Sequence, residues 1–391
     1  MFKRCWMRPV RSAALVVLGL AMTAASTAAD PESSLVSAIG EIQAGRPGRA
    51  LQLLSQLTQT QPNFHLAQFL YGDLLAARSG KRGIMPDSED PRVREFFEEA
   101  RLRNEQSRFV PAPGLVPAGV LKLADEYPYL VIVDLPHSRL NLFQNKGGEL
   151  KLIRSHYSGM GRNGFGKKAS GDLRTPVGIY HVTGWKSDNE LPELYGAGAL
   201  PLNYPNLWDR FQVKTGYGIW LHGVPRTTYV RAPRSSEGCV TMANDDLVGL
   251  KPYVYSNKAP VILADKLEWV PKGEVAHDRD AFLSRVEAWR KRWAGKDTEG
   301  YLSFYGPEFT TGGMNLKSFT EHKRRVNAGK KFIDVKLADL SLYHYPGEAM
   351  MLAEFTLNYR SDNFSSSAKK QQYWRKNAKG EWKIFREENL D

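Results

Sequence analysis

The chain has 391 residues, a formal net charge of +12 and two cysteines. That length provides for two or three domains with cores of their own, and two cysteines exclude a disulfide-built scaffold. No compact Lys/Arg run interleaved with aromatics marks a nucleic-acid surface, so no nucleic-acid partner is expected and the charge reads as solubility plus attraction to anionic polymers and head groups.

Lys3, Arg4, Arg8 and Arg11 precede an apolar, small-residue run from Ser12 to Ala25, and Thr27-Ala28-Ala29 before Asp30 offers a cleavage site. This is the pattern of an export signal over residues 1–29, with an apolar run short for a membrane span. A periplasmic protein is expected, an uncleaved N-terminal anchor being the competing reading. Cleavage removes Cys5 and four positive charges, leaving +8 and a single cysteine, Cys239. A lone cysteine in an exported chain is an inert buried residue, half of an intermolecular bridge or a reactive thiol.

From residue 33 to about 80 the spacing predicts helices. Leu35, Ile39 and Ile42 form one stripe, Gly45-Arg46-Pro47-Gly48 interrupts it, Ala50, Leu53, Leu54 and Leu57 form a second, and Leu66, Phe69, Leu70 and Leu74 a third after Pro62. The stretch from Gly45 to Gly72 is similar to one tetratricopeptide-like unit. One such unit cannot bury its own face, which points to docking or dimerisation: a wall or envelope protein partner, or a homodimer. Residues 80–126 read as a connector, with Pro86, Asp87, Asp90 and Pro91 introducing a solvated charged helix from about Val93 to Ser107. Pro111, Pro113, Gly114 and Pro117 then read as an extended linker.

From Tyr127 short strands are predicted at Leu130 to Leu135, Leu140 to Phe143 and Leu150 to Tyr157, a β-meander joined by turn residues. The glycine- and lysine-rich stretch Gly159 to Gly171 lacks the Gly-Lys-Ser/Thr ending and following helix of a phosphate loop. Arg174-Thr175-Pro176-Val177-Gly178 leads into a strand over Ile179 to Val182, and residues 184–216, rich in glycine, proline and aromatics, read as an ordered lid. A strand at Gly218 to Leu221, a short helix at Asp245 to Leu250 and a closing strand at Val261 to Leu263 follow. Pro271-Lys272-Gly273 reads as a boundary before a separate α+β unit. Its first helix puts Phe282, Val286, Trp289 and Trp293 on one face, and a hairpin around Lys379-Gly380 ends it.

The chemistry concentrates at His222-Gly223 and, seventeen residues on, Ser236-Glu237-Gly238-Cys239. A thiol attacks as thiolate, so it needs a base within reach, and His222 at a strand end supplies one. The backbone carbonyl of Gly223 or of a neighbouring residue is expected to orient that base, and the backbone N–H groups of Gly238 and Cys239 to receive an oxyanion. Such a set performs acyl transfer through a thioester. One cysteine and one histidine are too few for a metal site.

Residues 127–265 resemble the L,D-transpeptidase catalytic domain of bacterial wall enzymes. They share His222-Gly223, Ser236-Glu237-Gly238-Cys239, the strand entry Thr175-Pro176-Val177-Gly178, the Ile219-Trp220-Leu221 that precedes the histidine, and Tyr204-Pro205-Asn206 of the lid. The resemblance implies a mostly β fold acting on peptidoglycan stem peptides, with no metal or organic cofactor. Cys239 would acylate on the third residue and expel D-alanine. An amine acceptor would then form a 3–3 crosslink, or water would trim the stem. Two departures stand out: Glu237 replaces a common histidine, and Thr241 stands where an arginine is common. If that arginine holds a substrate carboxylate, Arg231, Arg234, Arg174 or Lys168 must serve here, beside Ser236, Glu237, Thr241 and Tyr204 as substrate-facing candidates.

Residues 275–391 are similar in pattern to nuclear-transport-factor-2-like domains, and Trp289, Trp293, Tyr301, Tyr305, Trp374 and Trp382 read as core more than pocket. The fold class expected is multi-domain α+β: a helical N-terminal region (30–126), a mostly β catalytic domain and a cone-shaped α+β C-terminal domain. Together the three parts look like the helical-cell-shape class of L,D-carboxypeptidases. A non-catalytic wall-binding scaffold is the reading from another class.

Overall fold

The computed structural model describes residues 30–81, 88–107, 111–256 and 258–390. The expected export signal with Cys5, and Pro86 and Asp87 of the connector, lie outside them.

The N-terminal helices are α1 (Pro31–Gln43), α2 (Pro47–Thr60), α3 (His65–Arg78) and α4 (Pro91–Ser107). Asp30 caps α1 by accepting from the Ser33 backbone N–H at 3.0 Å, and proline opens both α1 and α2. The apolar stripes meet as the spacing requires, Leu35, Leu54, Leu57, Leu66 and Ala67 being buried together. α4 is not the solvated helix its charges suggest. It stacks Phe96 on Phe69 with ring centroids 4.9 Å apart, and its Glu99 and Arg103, a 2.9 Å ion pair, are 3% and 1% exposed. The Arg103 guanidinium lies 3.7 Å over the Tyr157 ring of the catalytic sheet and 3.5 Å from Glu32 of α1, and Glu32 also pairs with Arg139 of that sheet. A charge pair spaced i,i+4 looks like a solvent face in sequence. Here it is a seam, tolerable only because each charge has a partner and the cation has a ring beneath it.

The linker is also more ordered than expected. Leu115–Pro117 pairs with Trp269–Pro271, and Val120–Lys122 adds itself to the edge of the C-terminal sheet beside Leu342 and Tyr343.

In the catalytic domain the expected meander forms over Tyr129–Asp134, Arg139–Lys146 and Glu149–Tyr157. The closing strand Pro260–Ala264 inserts parallel to the first of these and antiparallel to Gly178–His181, completing a five-stranded sheet. A second sheet carries Val240–Thr241, Trp220–His222, Gly198–Pro201 and Lys186–Ser187 in that order. The lid is thus partly strand, and it also contains the short helix α5 (Leu207–Phe211). The helix expected at Asp245 is α6 (Asn244–Val254), which buries Leu247, Leu250 and Val254.

The C-terminal domain opens directly at the expected boundary with α7 (Lys272–Ala294), followed by α8 (Thr298–Leu302) and α9 (Leu316–Ala328). These pack on a seven-stranded sheet among the described residues, whose long central strands are Ile333–His344, Met351–Ser361, Ser365–Lys376 and Trp382–Leu390. Phe282, Val286, Trp289 and Trp293 are all buried. Trp289, Tyr301, Tyr305 and Trp374 belong to the core, while Trp293 also lines a cavity of about 510 Å³ with Lys323, Tyr359 and Lys370.

This domain is not a separate unit. One buried cluster joins Leu130, Ile132, Ile179 and Ile262 of the catalytic sheet to Tyr343, Leu352, Tyr373 and Phe385 of the C-terminal sheet and to Tyr345 just past it, with Trp208 of the lid between them. Trp208, 2% exposed, stacks 5.6 Å from Tyr373, and its indole N–H donates to Glu348 at 3.3 Å. Asn206 donates to the Tyr345 hydroxyl at 3.0 Å. Truncating an indole in such a place costs about 3–5 kcal/mol. Trp208→Ala is therefore expected to lower stability by that amount in urea titration and to split one cooperative transition into two, whereas a surface change such as Lys379→Ala leaves the transition intact.

Candidate active site

The strand Trp220–His222 lies between Gly198–Pro201, antiparallel, and Val240–Thr241, parallel, with Leu221 opposite Val240 and His222 opposite Thr241. Extending that register back by one residue sets Cys239 beside Trp220. Residues two apart on a strand share a face, so His222 and Cys239 project from the same side of neighbouring strands, their Cα atoms roughly 8 Å apart on strand spacings alone. The two side chains are long enough to meet across that gap.

His222 is 3% exposed, and its Nδ1 lies 2.6 Å from the Gly223 carbonyl oxygen. A carbonyl only accepts, so Nδ1 carries the hydrogen and Nε2 keeps its lone pair. Burial pushes the His222 pKa down to about 4, the Gly223 carbonyl opposing this and the Arg231 charge adding to it. The Cys239 thiol, half-buried, donates to the Gly218 carbonyl at 3.4 Å. Burial pushes its pKa up to about 11; the Trp220 backbone N–H, Lys167 and Arg231 pull the other way, and Glu237 raises it further. The resting pair is therefore neutral thiol and neutral imidazole, not thiolate and imidazolium.

Two glycines let the backbone come close enough. A Cβ on Gly223 would sit 2.1 Å from the Asn244 Oδ1 and 3.0 Å from the Tyr195 carbonyl. At Gly238, with φ of +131°, it would sit 2.8 Å from the Arg174 carbonyl. Asn244 occupies the space that Gly223 leaves. Its Oδ1 accepts from the Ala197 N–H at 2.9 Å and the Val224 N–H at 3.1 Å, and its Nδ2 donates to the Val224 carbonyl at 2.9 Å. That clamp holds the turn carrying Tyr195, whose ring meets His222 edge-on at 4.9 Å.

Ser236 braces the other side. Its hydroxyl donates to the Cys239 carbonyl at 2.6 Å and accepts from the Gly238 N–H at 3.1 Å. The Gly238 N–H, expected to face an oxyanion, is thus already engaged, and the Cys239 N–H is a donor at this bend without a partner among the described residues. Thr241 is buried, its backbone bonded in both directions to Gly159. Tyr204 is buried too, donating to the Thr215 carbonyl at 3.1 Å. Ser236, Thr241 and Tyr204 therefore brace the site's frame, and Glu237 is exposed at its rim.

Among the candidate cations, Arg234 reaches Glu98 of α4 at 3.7 Å, Arg174 donates to the Phe165 carbonyl at 2.9 Å, and Lys168 is exposed. Arg231 is half-buried, and its charge acts on Cys239 and Tyr195. Sequence reasoning missed Tyr195, Asn244 and Lys167, the last buried and paired with Asp172 at 2.7 Å. Asn244 had a signal in its place five residues past Cys239 at the start of a helix; Tyr195 had none beyond its place in the lid.

Two family models match the chain: the L,D-transpeptidase catalytic domain (YkuD) over residues 128–263 and the Cds6 C-terminal NTF2-like domain over residues 281–388. The structure is similar to that of Bd1075 from Bdellovibrio bacteriovorus, with 32% identity, coverage of 71% of this chain and 98% of that one, and a TM-score of 0.62. It is also similar to Pgp2 of Campylobacter jejuni, described as a helical cell shape determining protein, at 28% identity over 68% of this chain and 94% of that one, with a TM-score of 0.57. No curated protein matches. The chain belongs to the YkuD family of L,D-transpeptidase catalytic domains and carries an NTF2-like domain behind it.

Three outcomes are expected from this geometry. Alkylation of Cys239 by iodoacetamide, read by mass spectrometry of its peptide, should climb with pH toward about 11 without a plateau between pH 5 and 8; a plateau there would reveal a preformed ion pair. The folded-state pKa of His222 lies below its ordinary 6.5, so the unfolded chain binds the proton more readily. His222 therefore contributes a loss of stability as pH falls from 6.5 through about 4, visible as a falling urea midpoint that His222→Gln flattens. Asn244→Ala, which frees the turn behind the imidazole, should lower kcat by about 10–100-fold with the fold retained by circular dichroism.

Proposed function

We propose that the protein is a cysteine acyltransferase that acts on peptidoglycan tetrapeptide stems, forming 3–3 crosslinks as an L,D-transpeptidase. The observation that carries this reading is the same-face placement of Cys239 and His222, with Nδ1 pinned to the Gly223 carbonyl and Nε2 free to take a proton. Nε2 accepts the thiol proton as sulfur attacks the carbonyl of the third stem residue. The developing oxyanion faces the Cys239 N–H. As the tetrahedral species collapses, the C–N bond to D-alanine breaks and the imidazolium returns its proton to the leaving amine. A thioester remains. An acceptor amine then attacks it, giving up its proton to His222, and sulfur leaves to regain that proton. A neutral resting pair suits this sequence, because proton transfer accompanies attack instead of preceding it.

A second reading differs only in the acceptor. Water in place of the amine makes an L,D-carboxypeptidase that trims tetrapeptide to tripeptide, and likeness along 94% of Pgp2, a cell-shape protein, supports it. The leader-like residues 1–29, with four basic side chains before an apolar run, support export to the periplasm, where such stems are found. A wall-binding scaffold would have no use for a buried neutral imidazole on the same face as a lone thiol.

With purified protein and tetrapeptide muropeptides, Cys239→Ala is expected to abolish D-alanine release and leave the fold intact; undiminished release would sink the proposal. Adding an acceptor stem separates the two acceptors: crosslinked dimers support the transpeptidase, and tripeptide alone at high acceptor supports trimming.

A further inference from the structure

The segment from Arg226 to Arg231, which connects His222 to the cysteine bend, is held from outside the catalytic domain. Asn63 and Phe64, in the turn between α2 and α3, grip it. The Asn63 Nδ2 donates to the Arg226 carbonyl at 3.0 Å, the Tyr229 N–H donates to the Asn63 carbonyl at 2.9 Å, and the Phe64 and Tyr229 rings lie 4.6 Å apart. Tyr229 and Val230 pack on the core of the helical region. At the far end, the Tyr157 hydroxyl donates to the Arg231 carbonyl at 3.2 Å, and Tyr157 itself lies beneath Arg103 of α4. The segment leading to Arg231 is thus tied to the turn between α2 and α3, and the Arg231 carbonyl to a tyrosine of the catalytic sheet that Arg103 of α4 covers.

Its guanidinium points back toward the chemistry. It reaches the Leu194 carbonyl at 3.4 Å, one residue from the Tyr195 whose ring lies on His222. The neighbouring arginines are committed elsewhere: Arg226 pairs with Asp188 and Glu193, and Arg234 with Glu98. Among the described residues no carboxylate lies within ion-pair distance of Arg231, although it is half-buried and its charge acts on Cys239. A partly desolvated cation with no anion beside it is costly unless a ligand supplies the anion. Arg231 also lines a cavity of about 690 Å³ between the helices and this segment, with Phe69, Phe96 and Val230 and the carboxylates of Asp90, Glu95 and Glu99 on its other walls. The position two residues past the cysteine cannot serve, because Thr241 is buried against Gly159.

We propose that Arg231 is the anchor for a substrate carboxylate at the Cys239 site, and that the N-terminal helices exist in part to hold it there, with Asn63 and Phe64 as positioning residues. This deepens the acyl-transfer reading and rests on it for the source of the carboxylate, a stem peptide. The anion preference itself can be read without any stem peptide. On the full chain, the Cys239 peptide is followed by mass spectrometry during alkylation with iodoacetate and, separately, iodoacetamide. Arg231→Gln is expected to lower the iodoacetate-to-iodoacetamide rate ratio about fivefold, and Arg231→Lys to keep most of it. Asn63→Ala, at a partly exposed position, is expected to lower the ratio about twofold, with the iodoacetamide rate unchanged. With tetrapeptide, Arg231→Gln and Asn63→Ala should raise KM and leave kcat within about twofold. An unchanged ratio in Arg231→Gln overturns the anchor. A ratio that falls in Arg231→Gln but not in Asn63→Ala or Phe64→Leu overturns the part assigned to the helices. A wild-type ratio that responds as expected in a protein inert toward stems overturns the acyl-transfer reading alone.

Discussion

The 2.6 Å hydrogen bond from His222 Nδ1 to the Gly223 carbonyl is the contact on which the site depends. It selects the tautomer, leaves the Nε2 lone pair on a residue that shares a face with Cys239, and supplies an orienting acceptor without placing a buried negative charge beside the imidazole. A neutral acceptor leaves burial free to depress the pKa of His222, so the ring is unprotonated and ready as a base across the whole physiological range. What surrounds it follows from that bond. Gly223 must lack a side chain because Asn244 occupies the space, and Asn244 ties the turn bearing Tyr195 to the strand end through the Ala197 and Val224 backbones.

Cys239 precedes one short strand and its base ends another, and short strands with long connections are poorly determined by themselves. The neighbouring domains supply the missing constraint from two sides. The C-terminal sheet holds the lid through Trp208, Asn206 and Glu348. The helical region holds the segment between histidine and cysteine through Asn63 and Phe64, and covers with Arg103 the Tyr157 that bonds its far end. In this fold the flanking domains therefore act as walls of the catalytic domain, and their shared cores make the loops over the site more rigid than their sequence would.

Much of this was legible in the chain. The strands of the meander announced themselves by short apolar runs between turn residues, and the face of Phe282, Val286, Trp289 and Trp293 by helical period, because both signals are local. His222 and Cys239 could be paired because a base at a strand end and a cysteine after a glycine carry chemical meaning by residue type alone. Contacts between residues far apart in the chain were not legible. Asn244 binds the backbone of Ala197, 47 residues away. Glu99 and Arg103 read as solvent charges until Tyr157 and Glu32 are known to lie opposite. Ser236 read as substrate-facing from its place in the motif, yet its hydroxyl is spent on its own bend. The connector's proline and glycine spacing described its turns correctly but could not show that three-residue strands would be recruited by the edges of other sheets.

The claim most exposed to test is that the imidazole rests neutral with its hydrogen on Nδ1. Nitrogen NMR of protein labelled at histidine, titrated from pH 8 to pH 4 with His222→Gln used to assign the signal, reads both properties at once. A neutral Nδ1–H tautomer that persists to about pH 5 is the predicted result. An imidazolium at pH 7, or a neutral ring with its hydrogen on Nε2, would contradict the account, because neither could take the thiol proton from the side on which Cys239 lies.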